Sequence, residues 1–347
     1  MEYIDLRSDT VTKPTPAMRS AMAAAEVGDD VFMEDPTINR LQDMAAELTG
    51  MQAGLFVSSG TMGNLSAVLA HCQRGDEVIL GNKAHTFLFE AGGISALGGV
   101  HSCQLPNQAD GSISLDDIQA ALRPENDPHQ PHTRLITLEN THNRCGGSVQ
   151  SVAYTQQVAD FAHARGLKVH LDGARLFNAS VSLGVPAKAL TQPLDSVTFC
   201  LSKALCAPVG SVLCGSQAFI DQARRQRKML GGGMRQAGIL AAAGIVALET
   251  MIDRLAEDHM RARRLAEGLE ALPGLVMDSG TPYTNMIFCG LHAEVPMNSP
   301  QVVAELAKHG VKVGSVGPRR FRLVTHYWID DAGVDQTLAA FKSVLTA

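Results

Sequence analysis

The sequence predicts an α/β protein with two parts, a large domain around a mostly parallel seven-stranded sheet and a smaller C-terminal α+β domain. Three observations lead to this prediction. The 347 residues exceed what one core usually supports, which favours a large domain with a smaller companion. Between about residues 53 and 216, seven apolar runs alternate with helical patterns, as βα units do. After about Arg254 the composition changes to a charged helix and then to mixed strands and helices.

The first clear element is a helix that begins near Asp35. This aspartate precedes Pro36, a pair typical of an N-cap and a first helical position. Apolar side chains then recur on one helical face, at Ile38, Leu41, Ala45 and Leu48. We expect this helix to lead into the first strand of the sheet.

The predicted strands follow in chain order as AGLFVSS, DEVILG, VHSCQL, TRLITLEN, LKVHLD, SVTFCLS and GSVLCG. The apolar stretch at residues 237–248 is shorter than the roughly 20 residues of a membrane crossing, so we interpret it as a buried helix. The smaller domain then shows a charged helix, a strand around TNMIFCGL, a helix around QVVAELAKHG, a strand around RFRLVTHYW and a closing helix. We place residues 1–250 in the large domain and residues 251–347 in the small one.

Charge and cysteine content exclude several classes of function. The chain has 29 basic and 35 acidic residues and a formal net charge of −6, without a block of like charge. Nothing in this balance favours nucleic acid or an anionic membrane as a partner. The N-terminus MEYIDLRSDT lacks the pattern of a secretory signal. Seven cysteines without a CxxC pair argue against a disulfide framework or a zinc site, so we expect a cytoplasmic protein and no metal centre.

Two charged side chains close neighbouring apolar runs. Asp172 ends one run and Lys203 follows the next, 203 − 172 = 31 residues later, about the length of one βαβ unit. Both should therefore lie at the carboxyl edge of the sheet, where α/β proteins bind ligands. A lysine there can form a Schiff base with pyridoxal phosphate, and an aspartate can keep the pyridine nitrogen protonated. The alternatives are a simple helix N-cap for Asp172 and a surface position for Lys203.

The segment SSGTMGN, residues 58–64, adds a candidate phosphate site. It follows the first predicted strand and opens a helix, whose free backbone N–H groups can bind an anion. Gly60 permits close approach and Thr61 adds a hydroxyl group. The segment is neither a P-loop nor a GxGxxG motif, which disfavours a nucleotide site. An ordinary helix cap is the alternative.

Three further residues have the chemistry to complete such a site. His85 follows the second predicted strand at the same edge, where an imidazole can lie against a cofactor ring. Arg175 and Arg322 offer the forked guanidinium group that binds a carboxylate. The alternatives are a surface histidine and arginines that form ion pairs between domains.

Longer segments indicate a family. The chain contains, in order, DLRSDTVTKPTPAM, SSGTMGN, AHTFLFEAGG, LENTHN, VHLDGARLFNA, CLSK, APVGSVL, RKMLGGGMRQAGILAAAG, TNM and RLVTH. In these segments, almost from end to end, it resembles the low-specificity L-threonine aldolases. These are pyridoxal phosphate-dependent enzymes of fold type I, in the aspartate aminotransferase superfamily.

The resemblance implies specific roles for site residues. Lys203 would carry the cofactor, Asp172 would contact the pyridine nitrogen and His85 would stack on the ring. Gly60 and Thr61 would bind the phosphate, with help from Arg235, and Arg175 would also lie close to the cofactor. Ser8, Arg175 and Arg322 would grip the substrate carboxylate, and Lys228 matches a position near the site. His129 resembles a second active-site histidine, although His132 competes for that match.

The resemblance also implies an activity and an assembly. The expected reaction is aldol cleavage of L-threonine, L-allo-threonine and related β-hydroxy amino acids to glycine and an aldehyde. The expected assembly is a homotetramer with sites shared between subunits, to which residues 1–30 contribute. Phe32 stands where many relatives have tyrosine, and Ala204 and Cys206 stand where glycines are common. A β-eliminating lyase, an amino-acid racemase and a non-catalytic cofactor-binding protein remain as alternatives.

Overall fold

The protein is described by a computed structural model that covers residues 3–278 and 280–346. Its strands are, in chain order, β1 (Ile4–Asp5), β2 (Ala53–Val57), β3 (Asp76–Gly81), β4 (His101–Leu105), β5 (His132–Glu139), β6 (Lys168–Asp172), β7 (Ser196–Cys200), β8 (Ser211–Gly215), β9 (Leu275–Met277), β10 (Met286–Leu291), β11 (Val311–Lys312), β12 (Gly314–Gly317) and β13 (Arg320–Val324).

The helices form the second set of elements. They are α1 (Pro16–Ala23), α2 (Pro36–Thr49), α3 (Gly60–His71), α4 (His85–Leu88), α5 (Gly93–Ala96), α6 (Leu115–Ala121), α7 (Val152–His163), α8 (Leu176–Leu183), α9 (Ala187–Thr191), α10 (Gln217–Met229), α11 (Gly238–Thr250), α12 (Leu255–Glu270), α13 (Ser299–Lys308) and α14 (Asp331–Thr346). Short 3₁₀ helices occur at Asp9–Val11, Asp30–Phe32 and Asn143–Cys145.

The large sheet has seven strands in the order β2-β8-β7-β6-β5-β3-β4. Every pairing is parallel except those of β8, which runs antiparallel to both β2 and β7. The predicted mostly parallel seven-stranded sheet is therefore confirmed. Because β3, β5, β6 and β7 point the same way, the residues that follow them meet at one edge of the sheet, here called the catalytic edge.

Several helix boundaries follow the sequence signals. Asp35 caps α2 by accepting hydrogen bonds from the N–H groups of Thr37 and Ile38, and Pro36 occupies the first turn. The apolar stretch at residues 237–248 lies largely within α11, most of whose residues are buried in the core of the large domain beside α1 and α2. Among the described residues, no helix combines the length and the apolar character that a membrane crossing requires.

A second sheet follows in the C-terminal part, in the antiparallel order β12-β13-β10-β9. Its core includes Leu265 of α12, Phe321 of β13 and Phe341 of α14, whereas Leu248 of α11 belongs to the core of the large sheet. Since neighbouring helices α11 and α12 contribute mainly to different cores, we propose the domain boundary at residues 250–251.

The N-terminal segment connects this second core to the catalytic edge. Strand β1 pairs in parallel with β11, and Leu6 is fully buried in the C-terminal core. The backbone then continues to Asp9–Val11, and the hydroxyl group of Thr12 donates to the carbonyl oxygen of Lys203 at 2.8 Å. Residues 4–12 therefore cross from the small sheet to the candidate lysine.

Candidate active site

Asp172 and Lys203 lie at the catalytic edge, as the run pattern indicated. Asp172 is the last residue of β6 and pairs with Thr198 of the neighbouring strand β7. Strand β7 ends at Cys200, three positions before Lys203. The carboxylate is buried, with 4 % exposure. It accepts hydrogen bonds from the backbone N–H of Ala174 at 3.1 Å and from Nδ2 of Asn64 at 2.9 Å. Lys203 is half-buried, and its amine forms no salt bridge with any residue of the described ranges.

His85 and Glu90 form a buried polar cluster beside Asp172. Nδ1 of His85 lies 2.9 Å from Oε1 of Glu90, and the same oxygen accepts from Nδ2 of Asn64 at 2.9 Å. One ligand-type atom from each of His85, Glu90 and Asp172 lies within 4.8 Å of the others. The hydrogen bonds that Asn64 donates to both carboxylates account for this close approach.

The electrostatics of the cluster follow from these contacts. The hydrogen bond to Glu90 raises the pKa of His85. Burial raises the pKa of Glu90, and the neighbouring Asp172 charge adds to that shift. With Nδ1 of His85 directed at a carboxylate, the neutral ring carries its proton on Nδ1, so that Nε2 is left as the acceptor.

The predicted phosphate site is the first turn of α3. Ser59 is its N-cap and accepts from the N–H of Met62 at 3.1 Å, whereas the N–H groups of Gly60 and Thr61 have no acceptor within the helix. A Cβ atom on Gly60 would lie 2.9 Å from Sγ of Cys200, so only glycine fits this position without a shift. The turn therefore offers backbone donors at a point that has no side chain of its own.

Arg175 is fixed by a residue that sequence reasoning did not assign. Its Nε and Nη2 donate to the two carboxylate oxygens of Asp9, at 2.7 and 2.6 Å. Both side chains are buried. Burial opposes ionisation of Asp9, but the charges of Arg175 and Lys203 outweigh it and hold the pKa of Asp9 well below its usual range. This pairing leaves Nη1 of Arg175 for another anion.

Arg322 is held at the same segment by different contacts. Its Nη2 donates to the carbonyl oxygen of Arg7 at 3.1 Å, and its Nη1 donates to Oδ1 of Asn143 at 3.0 Å. Its Nε is buried and has no hydrogen-bond acceptor among the described residues. Because Ser8 lies between Arg7 and Asp9, the structure brings Ser8, Arg175 and Arg322 to one place, with donor capacity left for a carboxylate.

Three predicted residues lie away from this centre or point into solvent. His129 precedes β5 and lies at the opposite edge of the sheet, where it is exposed and pairs with Asp127 at 2.9 Å. A single chain therefore does not bring His129 to Lys203, and His132, at the start of β5, lies at that far edge too. Lys228 is exposed at the end of α10, and the exposed Arg235 pairs with Asp29 at 3.1 Å.

The segment that carries Lys228 and Arg235 does pass the phosphate site. A Cβ atom on Gly232 would come within 2.2 Å of Sδ of Met62, in the first turn of α3. The backbone of this segment therefore lies against the turn, while its two cations extend outward.

Comparison with known proteins identifies the family. Residues 5–293 match the family described as beta-eliminating lyase. The chain is 48 % identical to low-specificity L-threonine aldolase 1 of Arabidopsis thaliana over 347 residues, covering 99 % of this chain and 97 % of the relative. It is 45 % identical to the low specificity L-threonine aldolase of Escherichia coli K12 over 342 residues, 99 % of each chain. The chain belongs to the low-specificity L-threonine aldolase family.

A solved structure agrees with the fold. The threonine aldolase of Leishmania major superposes with a TM-score of 0.85 and 22 % identity, covering 98 % of this chain and 99 % of that one. The confirmed L-threonine aldolase membership and the fold both agree with the resemblance described above.

The residues at the catalytic edge of this threonine aldolase family member fit pyridoxal phosphate. Asp172 is a buried carboxylate with two hydrogen bonds and lone pairs left for a protonated ring nitrogen. Lys203 is a half-buried amine without an ion pair in the described chain, and the Gly60 turn offers backbone donors to a phosphate. The ring nitrogen, the aldehyde and the phosphate of the cofactor therefore each have a matching group, in Asp172, Lys203 and the Gly60 turn respectively.

Sequence reasoning missed five residues of this L-threonine aldolase site. They are Asp9, Asn64, Glu90, Glu139 and Asn143. Glu139 accepts from the backbone N–H of His85 at 2.7 Å and from that of Asn143 at 2.9 Å, and so connects the segment of His85 to the segment that contacts Arg322. All five fall within the family segments quoted above, but nothing in their spacing indicates the partner that each one contacts.

Replacing Asp9 with asparagine should destabilise this threonine aldolase family member. The change leaves the buried Arg175 charge without its partner, for which a loss of about 3 kcal/mol in the free energy of unfolding is typical. Because the pKa of Asp9 is depressed in the folded state, its stabilisation is fully present above the unfolded pKa and is lost as the pH falls toward the folded value. Urea titrations at pH 7 and at about pH 3, below the unfolded pKa of an aspartate, measure both effects.

The matched control is Asp335→Asn, which removes an exposed ion pair with Arg264 on the surface of the small domain. We expect little change from it. Equal stabilities of the Asp9→Asn and Asp335→Asn proteins would show that the Asp9 pair contributes no more than a surface contact.

Proposed function

We propose that this protein is a pyridoxal phosphate-dependent aldolase that cleaves L-threonine and L-allo-threonine to glycine and acetaldehyde. One observation carries the proposal: the buried Asp172 carboxylate, the Lys203 amine and the His85 imidazole lie at one edge of the sheet, beside a glycine-lined helix start. The names of the relatives at 45 % and 48 % identity support the choice of substrate.

The amino-acid substrate is oriented by its carboxylate in this proposal. Nη1 of Arg175, Nε of Arg322 and the hydroxyl group of Ser8 supply the donors. A carboxylate held at two guanidinium groups fixes the substrate in the plane of the fork, which sets the direction of the Cα–Cβ bond. When bound, pyridoxal phosphate supplies the electron sink that accepts the pair of electrons from the broken bond.

His85 is proposed to take the proton from the β-hydroxyl group. Its Nδ1 is engaged by Glu90, so the neutral imidazole presents Nε2 as the acceptor. About a third of its side chain is exposed, 35 %, which leaves room for a substrate to approach. Lys203, the amine at the catalytic edge, is the group that we propose returns a proton to Cα to form glycine.

Assays with the four threonine stereoisomers test the reaction. We expect glycine from L-threonine and L-allo-threonine, with higher kcat/KM for the latter, and none from the D-isomers. Since Arg175, Arg322 and Lys203 fix the carboxylate and the amine, only the L-isomers place Cβ in the cleavable position. We expect a single partly exposed imidazole to distinguish the two hydroxyl configurations weakly, so kcat/KM for the two L-epimers should differ by less than about a thousandfold.

Three results would contradict the proposal. Ammonia and an oxo acid in place of glycine would indicate a β-eliminating lyase, and exchange at Cα without cleavage would indicate a racemase. Cofactor binding without any turnover would indicate a non-catalytic protein.

Glu90→Gln should move the acid limb of the pH–rate profile to lower pH. Activity is lost as the pH falls through the His85 pKa, because protonated imidazole cannot accept the hydroxyl proton. The bond to Glu90 raises that pKa, so removing the negative charge should lower it and extend activity into more acidic solution. kcat/KM measured between pH 5 and 9 gives the midpoint in each protein.

The control for this prediction is Glu305→Gln, which changes an exposed glutamate paired with Lys308 on α13. Its profile should match the parent protein. A Glu90→Gln midpoint that is unchanged or higher would remove His85 from the role of base.

We also propose that the active protein is a homotetramer with sites shared between subunits. Large apolar side chains are exposed around the phosphate turn and the segments that contact it, at Val27, Val31, Phe32, Met33, Leu88, Phe89, Met229 and Ile239. Exposed apolar side chains in such number are typical of an interface. His129 can reach a site only in another subunit, and the outward Lys228 and Arg235 fit the same arrangement. Sedimentation of a fully active monomer would contradict it.

A cytoplasmic location belongs to the same proposal. All seven cysteines are free, and six of them are buried. Such a pattern is typical of a reducing compartment. Nucleic-acid and membrane partners stay outside the proposal, as the balanced charge predicted.

A further inference from the structure

A continuous line of hydrogen bonds starts at Asp172 and crosses the large sheet away from the site. Oδ1 of Asn64 lies 3.2 Å from Nε2 of His170, whose Nδ1 lies 2.9 Å from the hydroxyl group of Ser196. That hydroxyl group lies 2.8 Å from Nε2 of His71, at the end of α3. With the bond from Asn64 to Asp172, four side chains join the carboxylate to the far side of the sheet. We call these four residues the relay.

The donor and acceptor roles along the relay are fixed from its inner end. Both hydrogens of the Asn64 amide point at carboxylates, those of Asp172 and Glu90, so its Oδ1 must accept. His170 therefore carries its proton on Nε2, and its bare Nδ1 accepts from the Ser196 hydroxyl group. The oxygen of Ser196 then accepts from Nε2 of His71. Every donor in the relay points toward Asp172.

Three of the four relay residues are buried, His71 is half-buried, and both histidines are neutral. Asn64 is 2 % exposed, His170 is 1 % exposed and Ser196 is fully buried. Burial lowers the pKa of His170 to about 3 and that of His71 to about 4. The polar groups thus occupy space between α3 and the sheet that apolar side chains could fill, at the cost of desolvating two imidazoles and a hydroxyl group.

The composition of the relay separates two possible roles. A proton wire needs groups that both accept and release a proton, and the amide of Asn64 does neither readily. An aligned set of dipoles, by contrast, needs only donors in one direction, and such chains polarise each other in a low-dielectric interior. Hydrogen bonds to an ionised carboxylate stabilise its charged form.

We propose that Asn64, His170 and Ser196 are positioning residues that hold Asp172 as an ionised, correctly turned carboxylate, so that a cofactor ring nitrogen facing it stays protonated. This inference rests on the proposed function, since it concerns the same cofactor. Loss of the aligned donors should let the proton move from the ring nitrogen to Asp172. The electron sink then weakens although every residue that touches the cofactor is unchanged.

The experiment uses holoenzyme loaded with pyridoxal phosphate labelled with ¹⁵N in the ring. The ¹⁵N chemical shift distinguishes protonated from neutral pyridine, and it requires no turnover. We expect the parent protein to show the protonated value, and Ser196→Ala and Asn64→Ala to shift toward the neutral value. Cofactor affinity, measured by equilibrium dialysis, should fall by about tenfold in Asn64→Ala and less in Ser196→Ala.

The chain offers a matched control on α3. Ser66 is fully buried and its hydroxyl group has no hydrogen-bond partner among the described residues, so Ser66→Ala removes the same atom as Ser196→Ala without touching the relay. Its ring ¹⁵N shift, cofactor affinity and kcat should equal those of the parent. kcat should fall severalfold in Ser196→Ala, whereas KM should change little.

Histidine NMR of the parent protein gives a test that needs no substitution. ¹⁵N-labelled histidine should show His170 with its proton on Nε2. A proton on Nδ1 of His170 would overturn the inference, and so would ring ¹⁵N shifts in Ser196→Ala and Asn64→Ala equal to the parent value. Failure of the parent protein to cleave threonine, with the ¹⁵N results as expected, would instead overturn the proposed function and leave the relay standing.

Discussion

Lys203→Ala should lose both the covalent link to pyridoxal phosphate and almost all activity. Lys203 follows β7 at the catalytic edge and is half-buried, and its amine forms no ion pair in the described residues. We expect kcat to fall by about a thousandfold or more, a scale that is common when a covalent catalyst is removed. Borohydride reduction followed by mass spectrometry measures the link, and single-turnover assays measure the rate.

The comparison protein is Lys342→Ala, which changes an exposed lysine of α14. It should keep the reducible link and the parent rate. Thermal unfolding of both apoproteins checks that Lys203→Ala folds, as expected for a half-buried loop side chain. A covalent adduct of undiminished yield in Lys203→Ala would refute the assignment.

Asp172→Ala should keep the covalent link but lose most of the activity. The carboxylate is the acceptor available to a protonated ring nitrogen, and preorganised charges of this kind typically contribute a factor of about 10² to 10³ to kcat. The loss should fall on kcat more than on KM, because we propose that the substrate carboxylate binds elsewhere, at Arg175 and Arg322. Steady-state kinetics separates the two parameters.

Asp172→Asn supplies the second variant, since it keeps the size of the side chain and removes its charge. A loss of similar scale in both variants would assign the effect to charge. If Asp172→Asn retained activity within about tenfold of the parent, position and shape rather than charge would explain the role of this residue.

The residues predicted from sequence share one physical property: each can be placed by the element that carries it. A polar or charged residue after an apolar run lies at the end of a strand. The sequence pattern alone therefore predicts that Asp172, Lys203 and His85 lie at one edge of the sheet. The glycine of SSGTMGN was placed in the same way, because a strand and a helix flank it. Seven apolar runs suffice to predict the sheet, since six of its strands are mostly buried and the edge strand β4 is the exception.

The residues that sequence reasoning missed depend on contacts between distant segments. Asp9 meets Arg175 across 166 positions and Asn64 meets Asp172 across 108. No local period encodes such a pair. His129 shows that a residue can be placed correctly by its element while its role stays unpredicted. Its place before β5 indicates the far edge of the sheet in its own chain, and the resemblance alone carried the expectation of a role at the site.

The course of residues 4–12 bears on how the molecule is assembled during synthesis. The proposed binding site for the substrate carboxylate joins segments far apart in the sequence, because Arg322 donates to the carbonyl oxygen of Arg7 and His326 lies 2.9 Å from that of Asp5. Chains grow from the N-terminus and fold as they emerge. When β7 and Lys203 have left the ribosome, the nascent chain therefore contains the residues proposed to bind the cofactor. Its N-terminal segment still lacks β11 and the C-terminal core, against which it packs in the folded protein. In this proposal, the groups that bind the substrate carboxylate come together last, once β13 has left the ribosome.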